Sequence, residues 1–259
     1  YGRVSLDGVM KLAASLDVIG WFARTPEFLR DVGAVLLDPA NISPTPGCLL
    51  VASDVMAIVD EADRAALTDA VDKVAGLLGV PEPVEVSNIE GLPGLDSWVT
   101  TVRALWGGEA WAEHGAWIQS VRPTFGSGVA ARFEARSRVS IDELGVARLQ
   151  REVVASHLRE LLADGNVLAL PAAPGVAPLC GGTDADIDPF REMNEPIGCS
   201  SGLGRLPQIS LPLAAVDRFP LGLGLAAAPG NDEMLLDIAV ALAEVDIASH
   251  VPVPEVIGS

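Results

Sequence analysis

Lysine is nearly absent from this chain. Its 259 residues hold only Lys11 and Lys73, so any chemistry built on a lysine base has two candidates. Histidine is almost as scarce. His114, His157 and His250 each stand apart from any serine in a recognisable nucleophile motif, and no HExxH run or His/Cys cluster offers a ligand set. Three cysteines, Cys48, Cys180 and Cys199, are odd in number and widely spaced, with no CxxC pair. That argues against both a zinc site and a disulfide framework, and it fits small buried or half-buried thiols in a reducing cytoplasm. No metal or cofactor is expected. Long apolar runs are missing too: 221–228 is short and holds two glycines, so no membrane partner is expected. Basic charge is outweighed, with 17 Lys and Arg against 35 Asp and Glu, a net charge of −18. Phosphate backbones would be repelled, which excludes nucleic acid as a favoured partner. An acidic field steering cationic substrates is one reading of that charge, and a solvated acidic surface is the simpler one.

What is present is the material of a folded core. Hydrophobic residues make up 49% and charged residues 20%, a balance unlike that of disordered chains. A compact chain of this length buries roughly 70–75% of its unfolded surface. Residues 26–37 carry an apolar stripe of helical period after Pro26, a residue suited to a first turn. Asp38-Pro39 and a Pro/Gly cluster over 44–47 follow as breakers. Residues 49–52 read as a strand buried on both faces. Residues 60–78 read as an amphipathic helix stopped by Gly79. Residues 84–86 alternate like a strand, and Pro81 and Pro83 place it at an edge. Over 95–121, Trp98, Trp106, Trp111 and Trp117 recur at loosely helical spacing, better explained by packing between two helices than by an aromatic substrate wall.

Ser140 and Glu143 form a capping box that opens a helix over 140–164, stopped by Gly165. On it Arg148, Arg151 and Arg159 alternate with Glu152 and Glu160, read as a solvated face with His157 at the stripe's edge. A buried strand over 167–171 runs into a Pro/Gly loop over 171–182. Residues 184–190 read as an acidic loop and 197–205 as a Gly/Ser-rich loop. Residues 209–212 and 221–227 read as short strands, 233–245 as a helix and 249–259 as a tail. No internal repeat or flexible linker divides the chain, so one domain over 1–259 is expected. Alternating short buried strands and amphipathic helices give an α/β class.

Three motifs resemble catalytic or binding signatures. Gly198-Cys199-Ser200-Ser201-Gly202 fits the G-x-S-x-G elbow, but that turn needs a strand before it and a helix after it, and prolines stand at Pro196 and Pro207 instead. Gly222-Leu223-Gly224 with Ala227 fits G-x-G-x-x-A, but its glycines lie in a strand rather than in a strand-to-helix turn. Asp184, Asp186 and Asp188 lack the glycine and terminal glutamate of a calcium loop.

The most informative stretch is the first. Gly2-Arg3-Val4-Ser5, Gly8-Val9, Leu12-Ala13, Ser15, Asp17 and Gly20-Trp21-Phe22-Ala23-Arg24 form turn-rich, half-buried chain in which Asp17 needs a partner. This run resembles the segment that follows the nucleophilic serine of amidase-signature hydrolases, with plant indole-acetamide hydrolases and related chloroplast-envelope import receptors most alike. The resemblance extends to His114–Ile118, 167–178, 203–212, 219–222 and 230–232. It implies a mixed β-sheet core flanked by helices on both faces, of which this chain would be the central and C-terminal portion of a partial amidase domain. The chain opens at Tyr1 with no leader, and the resemblance favours a missing N-terminal part. The family hydrolyses a carboxamide C–N bond to acid and ammonia with a Lys, a cis-peptide Ser and a nucleophilic Ser. By register neither Lys11 nor Lys73 is that base, so no catalytic residue is expected in this chain. The resemblance implies a small-molecule amide as partner, and a homodimer is the oligomeric expectation. Loops 171–175 and 200–207 are the expected pocket walls, with Pro171, Ser200, Ser201, Gly202, Leu203 and Gly204 as substrate-binding candidates. The alternative is a non-catalytic amidase-fold binding or scaffold protein, although the helical repeats of the import receptors do not follow residue 245.

Overall fold

The computed structural model describes residues 1–38 and 44–244. At its centre is a mixed sheet in the order β2-β1-β5-β7-β6. Strand β1 (Leu49–Ala52) pairs in parallel with β2 (Glu82–Val84) on one side and with β5 (Val167–Pro171) on the other. Beyond β5 the sense reverses: β7 (Phe219–Ala226) runs antiparallel to β5, and β6 (Gln208–Val216) antiparallel to β7. All five residues of β5 are buried, as an apolar strand in a sheet covered on both faces must be. The expected mixed sheet flanked by helices is the fold.

The helices start where their caps dictate. Thr25 accepts a hydrogen bond from the Phe28 N–H and opens α1 (Pro26–Leu36), with Pro26 in its first turn. The four-residue α2 (Ser53–Met56) follows β1, and Asp60 caps α3 (Glu61–Leu78), which Gly79 ends at φ 94°. A two-strand ribbon, β3 (Asn88–Ile89) with β4 (Leu92–Pro93), leads into α4 (Gly94–Val121). Then come α5 (Ser127–Arg136) and α6 (Ile141–Leu161), the latter opened by the Ser140/Glu143 capping box. Helices α4, α6 and α7 (Asp184–Gly204) pack on one another, α3 lies on β6 and β7, and α8 (Asp232–Glu244) packs on α1 and β6.

Several elements differ from the sequence reading. The edge ladder is Glu82–Val84 rather than 84–86, because the Asp54 carboxylate takes the N–H groups of Val86 and Ser87 at 3.1 and 2.8 Å. Residues 94–121 form one helix. Its Gly107 and Gly108 do not break it, since a Cβ there would stand 2.8 Å from Val139 and 2.9 Å from Leu144. Only Trp98 of its tryptophans is fully buried. Residues 184–190 and 197–204 are not loops: both belong to α7, which includes Pro189 and Pro196 and is capped by Arg205. A second capping box starts it, with Asp186 accepting from the Thr183 N–H and hydroxyl, both at 2.7 Å. Strands β6 and β7 are longer than read and form a hairpin. Pro212 is absorbed by an irregularity between Leu211 and Ala214. Asp217 and Arg218 turn it at φ 48° and 67°, a two-residue turn with the backbone hand that hairpins favour. Cys48 and Cys180 are exposed, and only Cys199 is the buried thiol expected. Pro39, Val245, His250 and the tail 249–259 lie outside the described residues.

Candidate functional site

The N-terminal stretch is irregular chain held down by side chains. Asp17, the half-buried carboxylate in need of partners, accepts the N–H groups of Leu12 at 2.8 Å and Ala13 at 3.1 Å. Trp21 donates its indole N–H to the Leu29 carbonyl at 3.0 Å. Arg3 reaches furthest along the chain. Its guanidinium forks onto both Glu233 oxygens at 2.6 Å, touches Asp232 at 3.0 Å and donates to the Asp38 carbonyl at 2.5 Å. The Glu233 hydrogen bonds foremost raise its pKa against the lowering effect of burial. Both carboxylates sit in the first turn of α8, where the helix dipole favours them. An open cleft of about 410 Å³ lies over this stretch, lined by Tyr1, Leu6, Asp17, Ile19 and Trp21 among others.

A second junction joins the same stretch to the end of α7. Arg151, on α6, is 2% exposed. It donates to the Ser15 hydroxyl and carbonyl, both at 2.6 Å, and to the Gly202 carbonyl at 3.3 Å. Among the described residues no carboxylate is hydrogen-bonded to it; burial first, then Arg205, lowers its pKa, against the raising effect of Glu109 and Glu152. Glu109 of α4 accepts the Ser15 N–H at 2.9 Å. Sequence reading placed Arg151 on a solvated face. The signal that finds it is spacing: Ala147, Arg151, Val154, Ala155 and Leu158 all lie on the buried stripe of α6. Asp63 was missed the same way, at position i of the stripe Asp63, Leu67, Ala70, Val71 and Val74. It is 6% exposed, and a Cβ on Gly175 would lie 2.6 Å from its Oδ2. Burial, then the neighbouring Asp60, raises its pKa.

The six binding candidates fall in two places. Ser200, Ser201, Gly202, Leu203 and Gly204 form the last turns of α7, which Arg205 ends at φ 54°. They are helix rather than the loop expected over 200–207. Ser200 and Leu203 are wholly buried, and the Ser200 hydroxyl has no hydrogen-bond partner. Ser201 Oγ bonds to Gln208 Oε1 at the start of β6. Pro171 stands apart. It ends β5 on the rung with Leu223 and Leu211, while Gln208 shares the rung of Ala226 and Leu168. Three ladder steps are about 10 Å. Pro171 instead opens the loop toward Gly175 and Asp63, at the carboxyl ends of the parallel strands where α/β sheets place ligands.

Arg3, Asp17, Trp21 and Arg151 hold the N-terminal chain in place. Lys73 donates to the Leu213 carbonyl at 2.9 Å, and the carbonyl of Lys11 faces His114 Nε2 at 2.7 Å. Among the described residues no serine hydroxyl is hydrogen-bonded to a lysine or histidine, and no three His, Cys, Asp or Glu residues gather as a metal site. Gly222 and Gly224 lie within β7, where a Cβ would meet Ser210 Oγ at 2.6 Å and Gln208 Nε2 at 2.8 Å. They serve sheet packing.

No family model matches the chain. It is 29% identical to Amidase 1 of Arabidopsis thaliana, over 94% of this chain and 63% of that protein. It is 24% identical to the chloroplastic Outer envelope protein 64 of the same plant, over 92% of this chain and 44% of that one. Among solved structures, one titled as a crystal structure of amidase superposes at a TM-score of 0.78 with 22% identity, covering 95% of this chain and 56% of its own. The chain thus spans less than two thirds of the length of these relatives.

Proposed function

We propose that the chain belongs with the amidase-signature proteins, whose fold it carries, and that it is part of an amidase hydrolysing a carboxamide C–N bond to acid and ammonia. The observation that carries this reading is the relation to the Arabidopsis Amidase 1 across 94% of the chain. In the proposal a lysine, a cis-peptide serine and a nucleophilic serine lie before Tyr1. The serine attacks the amide carbonyl, the lysine accepts its proton through the second serine, and backbone N–H groups hold the oxyanion.

This chain's residues then have positioning and walling parts. Arg3 and Arg151 fix the stretch that would follow the nucleophile. The cleft over the N-terminal stretch has Tyr1 and Trp21 in its lining, which makes an aryl-acetamide the first substrate to try. Three thiols outside any disulfide support a reducing, cytoplasmic setting. The scaffold reading has the likeness to Outer envelope protein 64 behind it, at lower identity and over a smaller share of that protein.

Sequencing the reading frame upstream of Tyr1 separates the two. The amidase reading expects a lysine codon followed by a Gly-Ser-Ser-Gly-Gly run. An upstream frame lacking them overturns it.

A further inference from the structure

Residues 12–17 form a tight turn that is closed from within and gripped from behind. The Asp17 carboxylate takes the Leu12 and Ala13 N–H groups, and the Ala13 carbonyl accepts from the Leu16 and Asp17 N–H groups at 2.8 and 2.9 Å. Ser15 is a central residue of that turn, and side chains of two other helices hold all three of its polar groups. Glu109 of α4 takes its N–H at 2.9 Å, and Arg151 of α6 donates to its hydroxyl and its carbonyl, both at 2.6 Å. The guanidinium nitrogen that meets the Ser15 carbonyl also donates to the Gly202 carbonyl at 3.3 Å. Gly202 lies in the last turn of α7, where the end carbonyls of a helix carry partial negative charge and favour a cation. Two further contacts follow the same seam. A Cβ on Gly202 would stand 3.9 Å from Leu16 Cδ2, and the Arg205 guanidinium lies 5.1 Å from the centre of the Tyr1 ring.

We infer that Arg151 is a positioning residue of the amide site: through Ser15 and Gly202 it holds the turn that lines the cleft at a set distance from the end of α7. The inference rests on the amidase reading and on the aryl-acetamide named there. Ala14 and Asp17 of the turn line the cleft, and the end of α7 carries five of the six binding candidates, so one guanidinium joins both parts. Arg151 itself is 2% exposed and outside the cleft lining, so it acts through the turn and not on the substrate. The place requires a planar fork. Two nitrogens reach the hydroxyl and the carbonyl of one residue together, and a third acceptor lies on another helix, which an ammonium on a flexible stem cannot serve at once. A part of the substrate that does not react binds alike in the ground and transition states, so a loosened wall raises KM more than it lowers kcat. The aryl group is that part, and acetamide lacks it.

The test compares phenylacetamide with acetamide in the protein of the complete reading frame. Arg151→Met should raise KM for phenylacetamide roughly tenfold with a smaller fall in kcat, while KM for acetamide moves no more than about twofold. Arg151→Lys should recover part of the loss. Ser15→Ala removes the hydroxyl at the other end of the same bond, and should shift phenylacetamide KM in the same direction at a smaller cost in stability. Where Arg151→Met does not fold, these two variants carry the comparison. Gly165→Ala, which destabilises the chain away from this junction, should leave the phenylacetamide KM alone. Hydrogen exchange gives a readout free of turnover: the amides of residues 12–17 should exchange at least about tenfold faster in Arg151→Met than in the parent, with those of α3 unchanged. If the Arg151 and Ser15 variants keep the parent's KM for phenylacetamide, or if Gly165→Ala raises it as much as they do, the inference falls and the amidase reading stands. Unchanged exchange over 12–17 has the same consequence. A parent protein inactive on phenylacetamide contradicts the aryl-acetamide reading itself, and the inference goes with it.

Discussion

At the scale of single residues, two buried side chains define what the polar junctions can tolerate. Arg151 is a cation with no carboxylate hydrogen-bonded to it among the described residues, held by a hydroxyl and two carbonyls. Arg151→Met removes those bonds and leaves the Ser15 and Gly202 carbonyls short of donors, so unfolding by urea should show a loss of about 2–3 kcal/mol. Arg151→Lys should recover only part, since an ammonium cannot span Ser15 and Gly202 with one planar fork. Asp63 carries the opposite problem. Burial holds its pKa above the usual carboxylate range, so its contribution to stability is full below the unfolded value and is lost as pH rises through the folded one. Asp63→Asn should therefore melt higher than the parent at pH 7, with the difference shrinking below about pH 4. Cys199 is pushed up to about 12 by burial and then by Glu195. Thiol titration of the native chain should count two fast-reacting groups, Cys48 and Cys180, with the third appearing only in denaturant.

At the scale of elements, what was legible in the sequence was whatever rests on local rules. The Ser140/Glu143 box, the Asp60-to-Gly79 helix and the strand over 167–171 all follow from neighbours a few residues apart. What was not legible depends on distant partners. Proline and glycine in α7 read as loop, yet Gly204 is there because a Cβ would come 2.8 Å from Leu158 of α6. The β6–β7 hairpin lacks the glycine that usually marks such turns. Arg151 and Asp63 could have been found, because each occupies a stripe position where an apolar residue is the rule. The entry to β1 and β5 shows the same long-range dependence: Gly165 sits at φ 80°, with the Thr45 carbonyl 2.3 Å from any added Cβ. Gly165→Ala should cost at least about 2 kcal/mol, combining left-handed strain with a backbone clash, and thermal melting reads it directly.

At the scale of the whole molecule, the sheet's margins bear on how the described chain holds together. Both outer strands are blunted, β2 by Pro83 and β6 by Pro212, its irregular ladder and the Lys73 ammonium on the Leu213 carbonyl. These are the devices that keep sheet edges from pairing with strangers. The resemblance carried by Gly2–Arg24 pointed to amidase-signature proteins, and the 29% identity to Arabidopsis Amidase 1 over 94% of the chain points the same way. The candidate site was legible only in part, because its six residues divide between the end of α7 and the end of β5, a separation set by register that no local pattern encodes.

The amidase reading is tested most directly by ammonia release from an aryl-acetamide, measured for the protein of the complete reading frame and for the 259-residue chain side by side. The account predicts ammonia and acid in equal amounts from the complete protein and none above background from the chain alone. A complete protein inactive on carboxamides, or a chain active without its upstream part, would contradict it.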